Sequence, residues 1–288
     1  MDITGFLTEH QLPDSYRTTA LKWFMPLAEE IAQHQNSASK PFFVGVNGCQ
    51  GSGKSTLCDF LVHYFTSKNL TAVTVSLDDF YLSKQSRVEL AESVHPLLKT
   101  RGVPGTHNTP LALQTFTALG ETGDVALPRF NKAIDDPFPS AQWPVIQAPV
   151  DIVLMEGWCW GVDAQAPQAL NEPVNTLESE EDPDGTWRSF VNDKITDEYE
   201  SLYRFMQYWV MLKGPSFEHV YKWRCEQEHK LAAKTGKHNA GIMSDEQILR
   251  FIQHYQRLTE HAFATLPDKC NQVFELDENR IIKDVIRK

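Results

Sequence analysis

The stretch Gly48-Cys49-Gln50-Gly51-Ser52-Gly53-Lys54-Ser55 constrains this chain more than any other. It keeps the spacing G-x-x-x-x-G-K-S. Ahead of it, Pro41 to Asn47 is an apolar run that reads as a buried strand; behind it, Leu57 to Phe65 place apolar residues on a helical face. Glycines at 48, 51 and 53 let successive N–H groups curl inward around an anion. The helix start adds unpaired donors and a positive dipole end. Lys54 is placed to reach β- and γ-phosphates, and the Ser55 hydroxyl to hold Mg²⁺. Gly48 through Lys54, Ser55 and Thr56 are therefore expected to bind a nucleoside triphosphate.

Length and charge bound what such a chain does with it. The 288 residues suit one large α/β domain or two small ones, and 41% hydrophobic residues can fill a core. A formal net charge of -11 repels nucleic acid, which disfavours a helicase or other nucleic-acid-dependent ATPase. Cys49, Cys58, Cys159, Cys225 and Cys270 are odd in number and form no C-x-x-C pair, so reduced thiols and a cytoplasmic setting are expected. Asp2 and Glu9 interrupt the N-terminus, which does not read as a signal peptide, and no apolar run is long enough to span a bilayer.

Residues 15–34 read as an amphipathic brace with Leu21, Phe24, Met25, Leu27, Ala28 and Ile31 on one face. Thr71 to Leu77 is a second strand, rich in β-branched residues, ending in Asp78-Asp79-Phe80-Tyr81. Ligands of open parallel sheets sit at the carboxyl ends of strands, so two acids are expected to face the phosphate crevice. One of them can accept the proton of a substrate hydroxyl or hold it in line. Residues 84–107 turn polar, and Lys99 to His107 is a cation-bearing loop. Asn108-Thr109-Pro110 starts a helix with Leu111, Leu113, Phe116 and Leu119 inward. Arg101, Arg129 and Lys132, each flanked by turn residues, together form a candidate anion site, with His107 a further substrate contact. Asn131-Lys132 and Asp135 echo the guanine-reading N-K-x-D, but the acid stands one residue too far along.

Val150 to Trp158 is a third strand ending in Glu156-Gly157, where a carboxylate can orient Mg²⁺ or its water. Trp158 and Trp160 either cover substrate or wedge between helices. Residues 161–188, with Glu178, Glu180, Glu181 and Asp182, read as an exposed acidic excursion, followed by a helix near 189–206. Tyr208 to Leu212 and Asn271 to Leu276 are fourth and fifth strands. Between them, the helix Phe217–Ala233 and a basic loop lead to the capping box Ser244 to Gln247. That box opens a helix with Ile248, Phe251, Ile252, Tyr255 and Leu258 inward. Helix, loop, helix is what a water-excluding lid requires, and Arg224 is either its cation or an ordinary surface charge. His63 is read as structural, and no histidine falls in a metal-binding spacing.

Several stretches together resemble a known family. They are Gln50 to Leu57, Leu77 to Leu82, Arg101 to His107, Val125 to Lys132, Glu156 to Trp158, Tyr221 to Arg224, Ala240-Gly241 and Met243 to Glu246. In this order they resemble the plant and fungal type of D-glycerate 3-kinase and its bacterial relatives. That type belongs to the phosphoribulokinase, uridine kinase and pantothenate kinase group of P-loop kinases. The resemblance implies a three-layer α/β P-loop NTPase fold: a parallel sheet with helices on both faces and a helical lid at about 217–247. A helical extension would cover 1–40 and the core 41–160 and 189–288.

It also implies transfer of the γ-phosphate of ATP, with Mg²⁺, to a hydroxyl of a small carboxylate-bearing metabolite such as D-glycerate. Asp78 would activate the hydroxyl, with Asp79 in reserve. Arg101, Arg129 and Lys132 would bind the carboxylate, and Tyr81, His107 and Trp158 would touch the acceptor. Lys54 and Arg224 would neutralise the transferring group, and Ser55 and Glu156 would serve the metal. Two other readings stay open. One is a kinase for a nucleoside or pantothenate-like acceptor, whose base Phe80, Tyr81 and Trp158 could sandwich. The other is a non-catalytic ATP-binding regulator.

Overall fold

Alternation along the strands explains the layers. In β1 (Phe42–Gly48), Phe42, Val44 and Val46 join one buried cluster while Phe43 joins another on the opposite face. The same alternation holds in β3 (Ile152–Gly157), where Ile152 and Leu154 face one way and Val153 and Met155 the other. A strand apolar on both faces must be covered on both. The computed structural model, which describes residues 1–235 and 243–288, shows that cover. Helices α1 (Met25–Asn36) and α2 (Lys54–Ser67) pack on one face, and α4 (Thr109–Leu119) and α5 (Thr186–Lys194) on the other.

With β2 (Ala72–Ser76), β4 (Tyr208–Lys213), β5 (Gln272–Leu276) and β6 (Ile282–Arg287), the sheet runs β6-β5-β4-β1-β3-β2. All neighbours are parallel except β6 against β5. The register aligns Glu156 with Ser76 on one side and Val46 on the other, so three strands end at one level. Helices α6 (Phe217–Thr235) and α7 (Asp245–Thr265) pack on each other beside these ends. The capping box at Ser244 is formed, with Gln247 reciprocating. The loop expected to complete the lid, with Ala240-Gly241, includes residues 236–242, which lie outside the described residues. No described helix is long and apolar enough to cross a membrane.

Five expectations need correction. The brace at 15–34 is helical without a break over 16–36 but is not a uniform α-helix: a π turn at Ala20–Phe24 interrupts it, and Pro26 just beyond has no N–H to bond back. The extra residue rotates Leu21 outward, leaving it 49% exposed. In α4, Leu113 faces solvent and Ala112 and Thr115 take the buried face. The polar stretch 84–107 contains α3 (Lys84–Ser93), whose buried residue is a charged one, Arg87. The tail beyond 276 adds β6 as an antiparallel edge strand. The acidic excursion is not simply exposed. Glu178 and Asp182 are fully buried, each paired with an arginine: Glu178 Oε2 lies 2.6 Å from Arg257, and Asp182 Oδ2 lies 3.0 Å from Arg188. Those bonds dock the segment onto α5 and α7.

Candidate active site

Gly53 takes φ +92°, a left-handed conformation that favours glycine, and so turns the chain from the phosphate loop into α2. Lys54 is the first residue of that helix and points to the strand ends. Its ammonium lies 3.6 Å from Glu156 Oε2. Burial opposes its charge, but Glu156 and then Asp78 outweigh burial and raise its pKa. Glu156 Oε1 accepts a 2.6 Å bond from the Ser76 hydroxyl, while Oε2 is buried and has no hydrogen-bond partner among the described residues. Ser52 Oγ and Gln50 Oε1 are likewise buried, with no partner among the described residues. Unpaired buried polar atoms at a glycine loop are what a phosphate–metal complex would satisfy. The hard oxygens of Ser55, Glu156 and a phosphate suit Mg²⁺.

A cavity of about 310 Å³ opens beside the loop. Gln50, Lys54 and Asp78 form its phosphate side. Tyr81 and Lys132 line it beside Asp78, and Arg101, Trp158, Arg224, Phe251 and Tyr255 complete the wall. A second cavity of about 500 Å³ adjoins Ser52, Gly53 and Thr56 and extends to Tyr16, Leu212 and Arg280.

The two adjacent acids part company. A 3₁₀ turn over Leu77–Phe80 sends Asp78 into the first cavity and Asp79 away from it. Asp78 Oδ1 accepts from the Tyr81 hydroxyl at 2.7 Å, and Oδ2 lies 2.5 Å from Lys132 Nζ. Burial pushes its pKa up, but Lys132 and Lys54 pull harder and bring it to about 2. Asp79 instead anchors a two-stranded ribbon, Phe130–Asn131 with Asp136–Pro137. It accepts the Phe130 N–H at 3.1 Å and an Arg129 N–H at 3.2 Å. Burial, only partly offset by Arg129, raises its pKa.

The structure thus gathers Lys54, Asp78, Tyr81, Arg101, Lys132, Trp158 and Arg224, but not Asp79, Arg129 or His107, on the wall of the first cavity. His107 is buried behind Tyr81, stacked on it at 4.6 Å, with Nδ1 2.5 Å from the Tyr199 hydroxyl. Burial drops its pKa to about 3, so the ring is neutral. Trp158 both lines the cavity and wedges. Its Nε1 donates to Gly102 O at 2.9 Å and its ring meets Tyr255 edge-on at 4.9 Å. Gly102, at φ +136°, lies so close to Tyr255 that a Cβ would stand 2.4 Å from the ring. Trp160 is core, within 2.9 Å of Asn47 through its carbonyl. Arg224 pairs with Glu228 at 2.7 Å on α6.

Helical periodicity places Phe251 and Tyr255 in the core rather than on a cavity wall, and nothing local in the sequence gives Ser76 or Arg280 a role. Periodicity tells which helix face is inward but not whether that face meets packing or a cavity.

No family model matches the chain. Individual proteins do. It is 32% identical over 262 residues to "Uncharacterized kinase mug58" of Schizosaccharomyces pombe, covering 84% of this chain and 90% of that one. It is 28% identical over 303 residues to "D-glycerate 3-kinase, chloroplastic" of Arabidopsis thaliana, covering 95% of this chain and 63% of the relative. Among solved structures, D-glycerate 3-kinase from Cryptococcus neoformans superposes with a TM-score of 0.74 at 26% identity. That match covers 96% of this chain and 100% of the other. Phosphate loop, strand-end acids and these matches together make the chain a member of the D-glycerate 3-kinase-like family of P-loop kinases, ATP-dependent phosphotransferases of small molecules.

Proposed function

We propose that the chain transfers the γ-phosphoryl group of ATP to a hydroxyl of a small hydroxy acid, with D-glycerate as the acceptor. One observation carries this reading: a single cavity of about 310 Å³ presents a phosphate cation (Lys54), a hydroxyl acceptor (Asp78) and a carboxylate partner (Arg101). A protein of net charge -11 needs a local cation to admit an acid. The rings that a nucleoside acceptor would stack on are held by their neighbours. Tyr81 stacks on His107, and Trp158 is pinned by Gly102 and Tyr255.

In this reading the acceptor hydroxyl displaces the Lys132 ammonium at Asp78 Oδ2, while Tyr81 keeps Oδ1 occupied and the carboxylate aimed. Moving Lys132 away removes the largest influence holding the Asp78 pKa down, so the carboxylate becomes a better base as the hydroxyl arrives. It orients the hydroxyl and takes its proton late, which a loose phosphoryl transition state allows. Lys54 and Arg224 neutralise charge spreading over the transferred oxygens. Ser55 and Glu156 would hold Mg²⁺, which supplies charge neutralisation at the phosphates. The nucleoside would occupy the cavity of about 500 Å³ between Gly53, Thr56 and Arg280.

The test is an acceptor panel with γ-labelled ATP: D-glycerate, L-glycerate, pantothenate and uridine. Labelled phosphoglycerate is the expected product. Labelled uridine monophosphate or phosphopantothenate without phosphoglycerate would overturn the assignment.

A further inference from the structure

Arg101 does not hang freely in the cavity. Its Nη1 donates to Asp135 Oδ1, and its own carbonyl accepts from the Tyr255 hydroxyl at 2.9 Å. The other oxygen of Asp135 lies 2.7 Å from Arg87 Nη2. Arg87 is 1% exposed and cannot swing: it also donates to the carbonyls of Leu82, Lys99 and Asp135 at 3.2, 2.8 and 3.0 Å. Asp135 itself sits at φ +60°, a left-handed conformation uncommon for a residue other than glycine and held here by these bonds. A buried arginine, a carboxylate and a cavity-facing arginine thus form a three-membered clamp.

We infer that Asp135 is a positioning residue that fixes the Arg101 guanidinium and so sets both the carboxylate preference and the reach of the acceptor site. The inference rests on the hydroxy-acid reading above. One edge of the planar guanidinium is spent on Asp135; the remaining N–H donors stay available for a bidentate carboxylate. With one end of the acceptor held at Arg101 and its hydroxyl at Asp78, the gap between them acts as a gauge of chain length. Lys132 rides on the same ribbon as Asp135, so the ribbon that aims Arg101 also brings Lys132 to Asp78. Asp135 is too well tied to act as a plug that substrate ejects. Lys132, 60% exposed on a flexible stem, is the group that yields.

The test compares D-glycerate with D-glyceramide, its neutral isostere, as acceptors for the unaltered enzyme, Asp135→Asn and Arg87→Lys. Asp135→Asn keeps an acceptor oxygen but removes the charge. Arg87→Lys keeps the charge but cannot bridge a carboxylate and three carbonyls. The expected result is KM for D-glycerate raised about tenfold in Asp135→Asn and less in Arg87→Lys. Turnover at saturating acceptor should stay within about twofold and KM for ATP should not move, while the preference for glycerate over glyceramide shrinks. A merely structural role would lower the melting temperature without changing that preference. Folded variants with an unchanged or lowered KM for glycerate overturn the inference and leave the acceptor reading standing. An unaltered enzyme that phosphorylates neither glycerate nor any other hydroxy acid overturns both. Should Asp135→Asn not accumulate as folded protein, Arg87→Lys carries the same comparison.

Discussion

The ammonium of Lys132 lies 2.5 Å from Asp78 Oδ2, the oxygen proposed above to receive the acceptor hydroxyl. Two sign predictions follow from this pair. Replacing Asp78 with Asn keeps the shape and the Tyr81 contact but removes the charge. Turnover should fall by about 10²–10⁴, with ATP affinity within about twofold of the parent. Single-turnover kinetics with nucleotide binding measured separately would check it; surviving turnover would remove Asp78 from the mechanism.

Lys132→Met acts on the same carboxylate from the other side. Lys132 is the largest influence lowering the Asp78 pKa, so its loss moves that pKa up from about 2. The parent should show no loss of kcat/KM attributable to Asp78 above about pH 4. In the variant the acid limb should climb by about one to two units. A pH–rate profile that does not shift would show that the pair is not maintained in the working enzyme.

His107 and His254 are buried and neutral, with pKa values dropped by burial to about 3 and about 4. The unfolded chain takes up these protons near pH 6.5, before the folded one does. Their contribution to stability is therefore complete above about pH 6.5 and is lost as the pH falls through the two folded values. By about pH 5 each should have lost about 2 kcal/mol. Denaturant titrations from pH 7.5 to 4.5 would read the slope. His107→Gln should flatten it by one proton.

Glu178 and Arg257 form a buried pair in which the arginine also bonds the carbonyls of Ala169 and Glu172 at 2.8 and 2.7 Å. Glu178→Gln leaves a buried guanidinium without its counter-charge, at a cost of about 3–5 kcal/mol. The melting temperature should drop on the order of 10 °C, and the double change Glu178→Leu with Arg257→Met should recover only part of it, because the Ala169 and Glu172 carbonyls and the Val174 N–H lose their partners. Equal melting of single variant and parent would mean that the segment 161–188 does not contribute to the cooperative fold.

What could be read before the fold was known follows from range. The phosphate loop, the strands at 42–48 and 152–157 and the capping box at Ser244 are set by neighbours a few residues apart, and they stand where periodicity and turn chemistry put them. Asp78 and Asp79 were indistinguishable as letters. Which one meets the cavity is decided by a single 3₁₀ turn and by a ribbon 50 residues away. In the sequence Asp135 stands out only as a misplaced guanine-reading acid. Its partners Arg87 and Arg101 lie 48 and 34 residues away, and no local pattern ties them. Glu178 and Asp182 looked solvated because acidic runs usually are; their arginines come from α5 and α7. The edge strand β6 escaped notice because Lys283, Asp284 and Arg287 break its apolar alternation.

Helix α6 meets both compartments. Arg224 reaches the smaller cavity. Two residues on, and so on another side of the helix, Glu226 holds Arg280 of the larger cavity at 2.7 Å, and Trp223 Nε1 bonds the Glu278 carbonyl at 2.8 Å. A hydrogen-bonded helix is stiff over so short a span, so it cannot tilt at one chamber without tilting at the other. Whatever displaces Arg280 at the rim of the larger cavity therefore displaces Arg224 on the wall of the smaller one, through a single rod.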